Sequence, residues 1–541
     1  MAHLHLGEVG RGPRHSPADA PFLARGDAGS FARPTLPEAA ETYRRAGHWR
    51  DRTHLDDLRD ELARDPGRTL LVDRSRGRRR VLSVADVVDG VDRLAAALRP
   101  HVGPGDRVAY RLANRWETVA LFYACGWLGA VAVPLPSSLG PAQVEQRATA
   151  VGAVLAVDDD GAGLIDLDDL PDAADAPTRD AEIGPDDVAL VLFTSGTTGT
   201  SKAVLHTANT LHASTCGALG ALVCEDPGPD PRVMTPSVAT HAIGVMTSAL
   251  SPLLHRHCAV LDDDGSPEAV LRAVHEEQVT HLLVGPRGYD SLLDALGPDG
   301  AGDAPPSLRM IALGGAPLAR NVLRKADRLP AVLRIHWGMT EVPGGGVSRG
   351  QEAPGTSWHT MGHPVPGLER ELRAVPGGEE GLGEVVVRGP QVTVGLLDTG
   401  DGHLVWSPAD DDGWYATGDI ADRDTTGELA FVDRDSDEIK GSSGMIIPGA
   451  EVEDLLAGHP DVDEVVLVAF HPSEQAEAPA AVVVPVDGRA PTLQDLQQHL
   501  RDQGTTEWYL PERLEVVDVL PRDPQGKVDK KALRARIDEG A

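Results

Sequence analysis

The amino-acid sequence predicts an α/β fold: a large N-terminal domain of layered α/β sheets with a small β-barrel subdomain, then a smaller C-terminal α+β domain. Three observations predict it. Strand-like and helix-like patterns alternate from about Tyr43 to His336, as in largely parallel sheets with helices packed on their faces. From Gly362 to Phe431 the texture changes to short β-like runs with Gly-Pro turns, such as Glu384 to Gly389. Beyond Arg434 a compact α+β pattern begins. At 541 residues the chain is also too long for one ordinary domain.

The elements follow in order. Met1 to Arg25 mixes His, Gly, Pro and Arg without an apolar stretch, so it is no secretory signal, and residues 1–42 are expected to be poorly ordered. Arg107 to Leu112 reads as a strand, Trp116 to Leu128 as a helix and Val131 to Pro134 as a strand, a βαβ unit. Asp158 to Asp180, acidic and rich in Ala, Pro and Gly, reads as an exposed connection. Val188 to Phe193 is apolar throughout, as a strand buried on both faces would be. Cys258 to Leu261 is then a strand, and Pro267 to Glu277 a helix opened by Ser266 and Pro267. Thr280 to Val284 and Leu308 to Leu313 are strands, Leu318 to Leu329 a helix, and Val332 to His336 a strand. In the C-terminal part, Ala450 to Ala457 and Leu493 to Asp502 are helices. Glu464 to Ala469, Ala480 to Val486 and Leu514 to Val519 are strands, and a basic helix starts near Lys530.

Composition narrows the function. The hydrophobic share of 41% and charged share of 25% belong to a globular protein. No apolar run approaches the ~18 residues of a membrane helix, so no membrane partner and a cytoplasmic location are expected. Net charge is −33, with 83 acids against 50 bases, which argues against a nucleic-acid partner. A polyanionic ligand would have to be met by local positive groups. Lysines are few: Lys202, Lys325, Lys440, Lys527, Lys530 and Lys531. Cys125, Cys216, Cys224 and Cys258 form no Cys-x-x-Cys pair, so buried free thiols are expected rather than a metal site or disulfide framework.

Several stretches carry chemistry. Behind the strand Val188 to Phe193 come Thr194, Ser195, Gly196, Thr197, Thr198, Gly199, Thr200, Ser201 and Lys202. Glycines let backbone N–H groups turn toward an anion, hydroxyls add donors, and the lysine adds a point charge, the makings of a polyphosphate cradle. The Walker A pattern fails, because Lys202 follows Ser201 and precedes Ala203, and Gly526-Lys527 is followed by Val528. Trp337-Gly338-Met339-Thr340-Glu341 sits at a predicted strand end, where open α/β sheets bind ligands. It offers a π-face, a hydroxyl and a hard carboxylate suited to a hard cation. Gly314-Gly315-Ala316-Pro317 also follows a strand, and Trp414 to Asp419 ends in Thr-Gly-Asp. Asp433-Arg434 comes next, then a glycine-bearing loop from Ser442 to Glu453. Leu520 to Val528 presents Lys527 on a Pro/Gly loop. His241 and Gly244 lie in Val238 to Gly244.

Together these ordered motifs, spread from about residue 43 to 535, resemble the acyl-adenylate-forming (AMP-binding) superfamily of acyl-CoA synthetases, luciferases and peptide-synthetase adenylation domains. The Ile447-Pro448 placement resembles the cyclohexanecarboxylate and aryl-acid CoA ligases. Ser201, Ala203, Asp433 and Leu396 depart from the family pattern of Pro, Gly, Gly and often Tyr. The resemblance implies that Thr194 to Gly199 and Lys202 hold the leaving phosphates and that Gly314 to Pro317 flank adenine. Trp337, with Gly338 and Met339 in its motif, would stack on adenine. Thr340 would bond the α-phosphate, Glu341 would hold Mg²⁺, and Asp419 and Arg434 would bind ribose. Lys527 would bridge the substrate carboxylate and α-phosphate, a positive charge where phosphoryl charge develops. His241 and Gly244 would lie beside the acyl pocket, and Gly444 along a pantetheine channel. The same resemblance divides the chain into an N-terminal AMP-binding domain, residues 43–433, and a mobile C-terminal one, 439–541, joined by a hinge at 434–438 centred on Ser436. It implies a ligase, monomeric or homodimeric, that uses ATP and Mg²⁺ to turn a small carboxylic acid into acyl-AMP and passes it to coenzyme A. A carrier protein or an amine is the alternative acceptor, and an inert nucleotide-binding pseudoenzyme the alternative from another class.

Overall fold

In the computed structural model the apolar alternation of the N-terminal part forms two large sheets. The structure describes residues 6–7, 37–137, 139–158, 182–194, 202–224, 228–236, 240–296, 305–316, 328–329, 331–349, 359–375, 381–398, 404–406, 408–434, 439–440, 446–447, 449–473, 476–486, 489–522 and 528–539. The first sheet has eight strands. Its parallel centre runs Leu155–Asp158, Arg107–Arg111, Val131–Pro134 and Val188–Phe193. There the direction reverses: Lys202–Thr207 pairs antiparallel with Val188–Phe193, because the short loop between them cannot make a crossover. Gly395–Asp398 and Leu404–Trp406 extend that edge, and Leu6–Gly7 pairs antiparallel with Leu155–Asp158 at the other.

The second sheet has nine strands. Val332–Met339, Met310–Gly314, His281–Val284, Arg232–Met234, Cys258–Leu261 and Thr69–Asp73 are mutually parallel. Antiparallel strands close both sides: Arg80–Ser83 beside Thr69–Asp73, and Val342–Val347 then His363–Pro364 beside Val332–Met339. The helix Trp116–Trp127 is buried at every position, as its apolar stretch from Val119 onward requires, and Glu117 and Thr118 are buried with it. It packs on Val84–Leu98, whose start is fixed by a capping box between Ser83 and Asp86.

Two expectations change in detail. The strand expected to end at His336 continues to Met339, so Trp337, Gly338 and Met339 lie in a strand with a bulge, not after one. Its partner Val342–Val347 contains three glycines and is buried throughout. A Cβ on Gly338 would lie 2.6 Å from the Gly344 nitrogen, and one on Gly345 2.5 Å from the Trp337 ring, so the glycines allow the approach. The chain is also structured before Tyr43: Pro37–Arg45 is a helix with Glu38 in its first turn and Arg44 and Arg45 in its last, in keeping with its dipole. The expected helix Leu318 to Leu329 lies outside the described residues except for Arg328 and Leu329.

The small β subdomain is a four-stranded antiparallel sheet, Glu369–Ala374, Gly383–Arg388, Tyr415–Arg423 and Leu429–Arg434. In the C-terminal domain, Val462–Ser473 and Ala476–Pro485 form a long hairpin, with Arg513–Val516 parallel to the second strand. Alternate residues face two cores: Leu467, Ala481 and Val483 on one side, Val466, Val468 and Val482 on the other. The helix Gly449–Leu456 leans on Leu429–Arg434 of the N-terminal domain. His359 Nε2 lies 3.1 Å from Asp454 Oδ2 across that contact. Cys125 and Cys258 are buried as expected, whereas Cys216 and Cys224 are exposed, Cys216 on the outer side of its helix. Among the described residues no helix is long and apolar enough to cross a membrane.

Candidate active site

Among the described residues, parts of the predicted motifs meet where the first sheet approaches the edge of the second. Thr194 and Lys202 form the neck of the hydroxyl- and glycine-rich loop. The Thr194 N–H donates to the Lys202 carbonyl at 3.0 Å, and the Lys202 N–H to Thr194 Oγ1 at 3.3 Å. Lys202 is exposed. Ser195, Gly196, Thr197, Thr198 and Gly199 lie outside the described residues. The segment carrying Lys527 repeats this design. Arg522 and Val528 pair across its base, and the Asp529 N–H donates to the Pro521 carbonyl at 2.8 Å. Lys527 itself, like Pro317, Ser436 and Gly444, lies outside the described residues.

Thr340 and Glu341 form the two-residue turn between Val332–Met339 and Val342–Val347, since Met339 pairs with Val342. Both carbonyls of this turn are bound by the neighbouring region. His206 Nε2 lies 2.7 Å from the Thr340 oxygen, and the Thr393 N–H donates to the Glu341 oxygen at 2.8 Å. Thr393 is fixed in turn, its hydroxyl donating to the Leu205 carbonyl at 2.8 Å. His206 is wholly buried, with Nδ1 3.2 Å from Thr210 Oγ1, and burial pushes its pKa down to about 4. It is therefore neutral at pH 7. A carbonyl oxygen only accepts, so Nε2 carries the proton, and Nδ1 faces the Thr210 hydroxyl, which also lies 3.1 Å from the Thr207 carbonyl it can donate to. Glu341 is buried.

The residues assigned to the nucleoside form a second group. The Trp337 indole N–H donates to Asp419 Oδ2 at 2.8 Å, and both residues are buried. The Asp419 N–H donates to Thr417 Oγ1, whose own hydroxyl donates to the Val385 carbonyl. Asp419 and Arg434 are cross-strand neighbours, which puts the two expected ribose residues side by side. The Arg370 guanidinium lies 5.8 Å from the Trp337 ring and donates to the Met361 carbonyl. Burial lowers its pKa to about 10, which leaves it charged at neutral pH. Gly314 pairs with His336, and a Cβ on Gly314 would lie 2.3 Å from the His336 ring. Gly315, at φ +86°, and Ala316 beyond it are exposed.

His241 precedes the helix Ala242–Val245 and is half-buried; Gly244 is buried, its carbonyl accepting from the Ser248 hydroxyl at 2.6 Å. Gly244 lies with Thr247 and Ser248 against Val233, Thr235 and Ala259, with no room for a water. A cavity of about 250 Å³ opens instead beside Pro236, Pro267, Val270, Val284, Ser291 and Leu292, without His241 or Gly244 in its wall. Among the described residues no three His, Cys, Asp or Glu side chains are grouped to hold a metal. Sequence reasoning missed His206, Thr393 and Arg370.

The AMP-binding enzyme family model matches residues 58–397, and the model of the AMP-binding enzyme C-terminal domain matches 451–527. A feruloyl-CoA synthase of Amycolatopsis sp. is 32% identical over 477 residues, 84% of this chain and 94% of that protein. A salicylyl-CoA synthase / salicylate adenylyltransferase of Streptomyces sp. is 31% identical over 546 residues, 92% of this chain and 96% of its own. Among solved structures, the amide bond synthetase McbA from Marinactinospora thermotolerans matches with a TM-score of 0.74 at 25% identity, covering 90% of this chain and 100% of that one. With a family model matching more than half its length, the chain belongs to the AMP-binding enzyme family.

Proposed function

We propose that the chain is an ATP-dependent, AMP-forming acid–CoA ligase. The observation that carries this reading is the meeting of the Thr340–Glu341 turn with the strand that begins at Lys202. In the first half-reaction an acid carboxylate oxygen bonds to the α-phosphorus of ATP, and the bond to the bridging oxygen breaks, releasing pyrophosphate. In the second, a CoA thiolate attacks the acyl carbon, and AMP leaves with the electrons of the carbon–oxygen bond. Such transfers depend on positioning and electrostatics and need no protein nucleophile.

Thr194 to Lys202 would hold the leaving phosphates and Lys527 the developing charge. Trp337 and Asp419 would hold the nucleoside, with Arg434 beside them. Both turn carbonyls are engaged, and the Glu341 carboxylate would be the group that holds a cation. One carboxylate, with phosphate oxygens and water, suits Mg²⁺. When bound, Mg²⁺ neutralises phosphate charge. Rotation of the C-terminal domain about Ser436 would then withdraw Lys527 and bring Gly444 to the thiol arm. The names of the relatives favour CoA as acceptor and a small carboxylic acid as donor. Pyrophosphate, AMP and acyl-CoA should appear together when ferulate, salicylate and straight-chain acids are assayed with ATP, with and without CoA. Formation of ADP and phosphate instead would exclude adenylation.

A further inference from the structure

We propose that His206 is a positioning residue for adenylation: its Nε2–H holds the Thr340 carbonyl and so fixes the Thr340 hydroxyl and the Glu341 carboxylate relative to the phosphate-loop strand. This rests on the function proposed above. The turn joins two strands by only two residues, and the carbonyls of such a turn ordinarily face water. Here the first sheet captures one through His206, and the chain entering Gly395–Asp398 captures the other through the Thr393 N–H. One bond would leave the turn free to swivel about it, whereas two adjacent bonds fix its rotation as well as its position. The Thr393 bond is made by backbone and survives any side-chain change. The His206 bond depends on one imidazole, four residues beyond Lys202 on the same strand.

The ring suits the task. Buried and neutral, it brings a donor to an acceptor without carrying a charge into the interior, and the Thr210 hydroxyl at Nδ1 keeps Nε2 directed at Thr340. His206 touches no reacting atom in this arrangement. It acts through Thr340 and Glu341.

The test compares two amides that differ by one methylene. In His206→Gln the side-chain nitrogen stands as many bonds from Cβ as Nε2 does and reaches the carbonyl. In His206→Asn it stands where Nδ1 was and falls short. His206→Asn should slow pyrophosphate release about ten- to a hundredfold and raise the Mg²⁺ concentration for half-maximal rate, the usual scale for an outer-shell partner. His206→Gln should recover most of both, and both variants should convert supplied acyl-AMP to thioester at the parent rate. Equal behaviour of the two amides, an unchanged Mg²⁺ dependence in His206→Asn, or equal loss in both half-reactions would overturn the assignment. Should His206→Asn fail to fold, His206→Met, of similar reach but without a donor, takes its place. If the parent releases pyrophosphate with no acid, the functional reading fails, and His206 is judged by the rise in melting temperature with ATP and Mg²⁺ over ATP and EDTA. Parent and His206→Gln should show that rise and His206→Asn should not; the same rise in all three would overturn the assignment.

Discussion

The Thr340–Glu341 turn and the C-terminal domain are joined to the N-terminal body in opposite ways. The turn is held by the strands on either side of it and by a bond to each carbonyl, one from a buried ring and one from backbone. The C-terminal domain leans on the body through the helix Gly449–Leu456, where His359 Nε2 meets Asp454 Oδ2. The first arrangement holds groups to fractions of an ångström, which adenylation needs. The second, among the described residues, is a helix packed on one strand, the kind of contact the proposed swing of the domain would have to break.

The largest way to break this comparison is Lys527→Ala. Lys527 belongs to the moving side, so its removal should cut acyl-AMP formation by about a hundredfold or more, as for other groups that stabilise developing charge. Thioester formation from supplied acyl-AMP should be largely spared. Equal loss in both half-reactions, measured separately, would make the lysine structural and the domain static.

A second prediction concerns acid. His54, His206, His257 and His336, all in the N-terminal domain, have pKa values pushed down to about 4, 4, 3 and 4 by burial. Unfolded, each would bind a proton near 6.5. Between pH 6.5 and 4 the unfolded state therefore holds more protons, so their contribution to stability is complete above 6.5 and lost as pH falls through 4. The N-terminal domain should melt at lower temperature over that interval. Among the described residues neither His54 nitrogen has a partner, and its ring stacks on Phe122. His54→Leu should reduce the loss at pH 4 by about 2 kcal/mol and change little at pH 8. Calorimetry at both pH values checks this; an identical pH dependence in the variant would refute it.

Trp337→Phe probes the rigid side more gently. It keeps an aromatic face but deprives the buried Asp419 carboxylate of its indole donor. The KM for ATP should rise about tenfold, with a smaller change in kcat, for one lost bond to a charged group. An unchanged KM would separate Asp419 from nucleotide binding. The smallest effect is expected of Asp454→Asn. Loss of one side-chain contact should shift the balance between the proposed domain orientations by no more than about fivefold, speeding one half-reaction and slowing the other. Parallel change in both would show that the contact does not report on orientation.

What was legible in the sequence divides along the same physical line. Val131–Pro134, Val188–Phe193 and Cys258–Leu261 are buried on both faces, so their apolar runs announce them. The helix Pro267–Glu276 announces itself through Ser266 and Pro267. Val342–Val347 does not, because Pro343 and three glycines erase any strand signal, and with it the continuation to Met339. The site was legible where its groups stand in one motif, as Thr340 and Glu341 do. Bonds from Thr393 and His206 arise when distant segments meet, and neither carries a local pattern. Arg370 likewise reads as an ordinary charge on an edge strand until the Trp337 ring is seen beside it.

The interleaving of the two large sheets has a consequence for how the chain comes into being. The second sheet recruits Thr69–Asp73 and Arg80–Ser83 from before most of the first, and the first takes Gly395–Asp398 from after all of the second. Neither sheet can be completed from a contiguous stretch of polypeptide. During synthesis, Lys202–Thr207 keeps an unpaired edge until Gly395 emerges to meet Leu205, while the second sheet assembles beside it. Such distant pairing is slow and leaves strand edges exposed to other chains. The nascent protein therefore passes about a third of its translation, from Thr207 to Gly395, with the strand that begins at Lys202 bare on one side, and that strand becomes an interior one only after nearly three-quarters of the chain has been made.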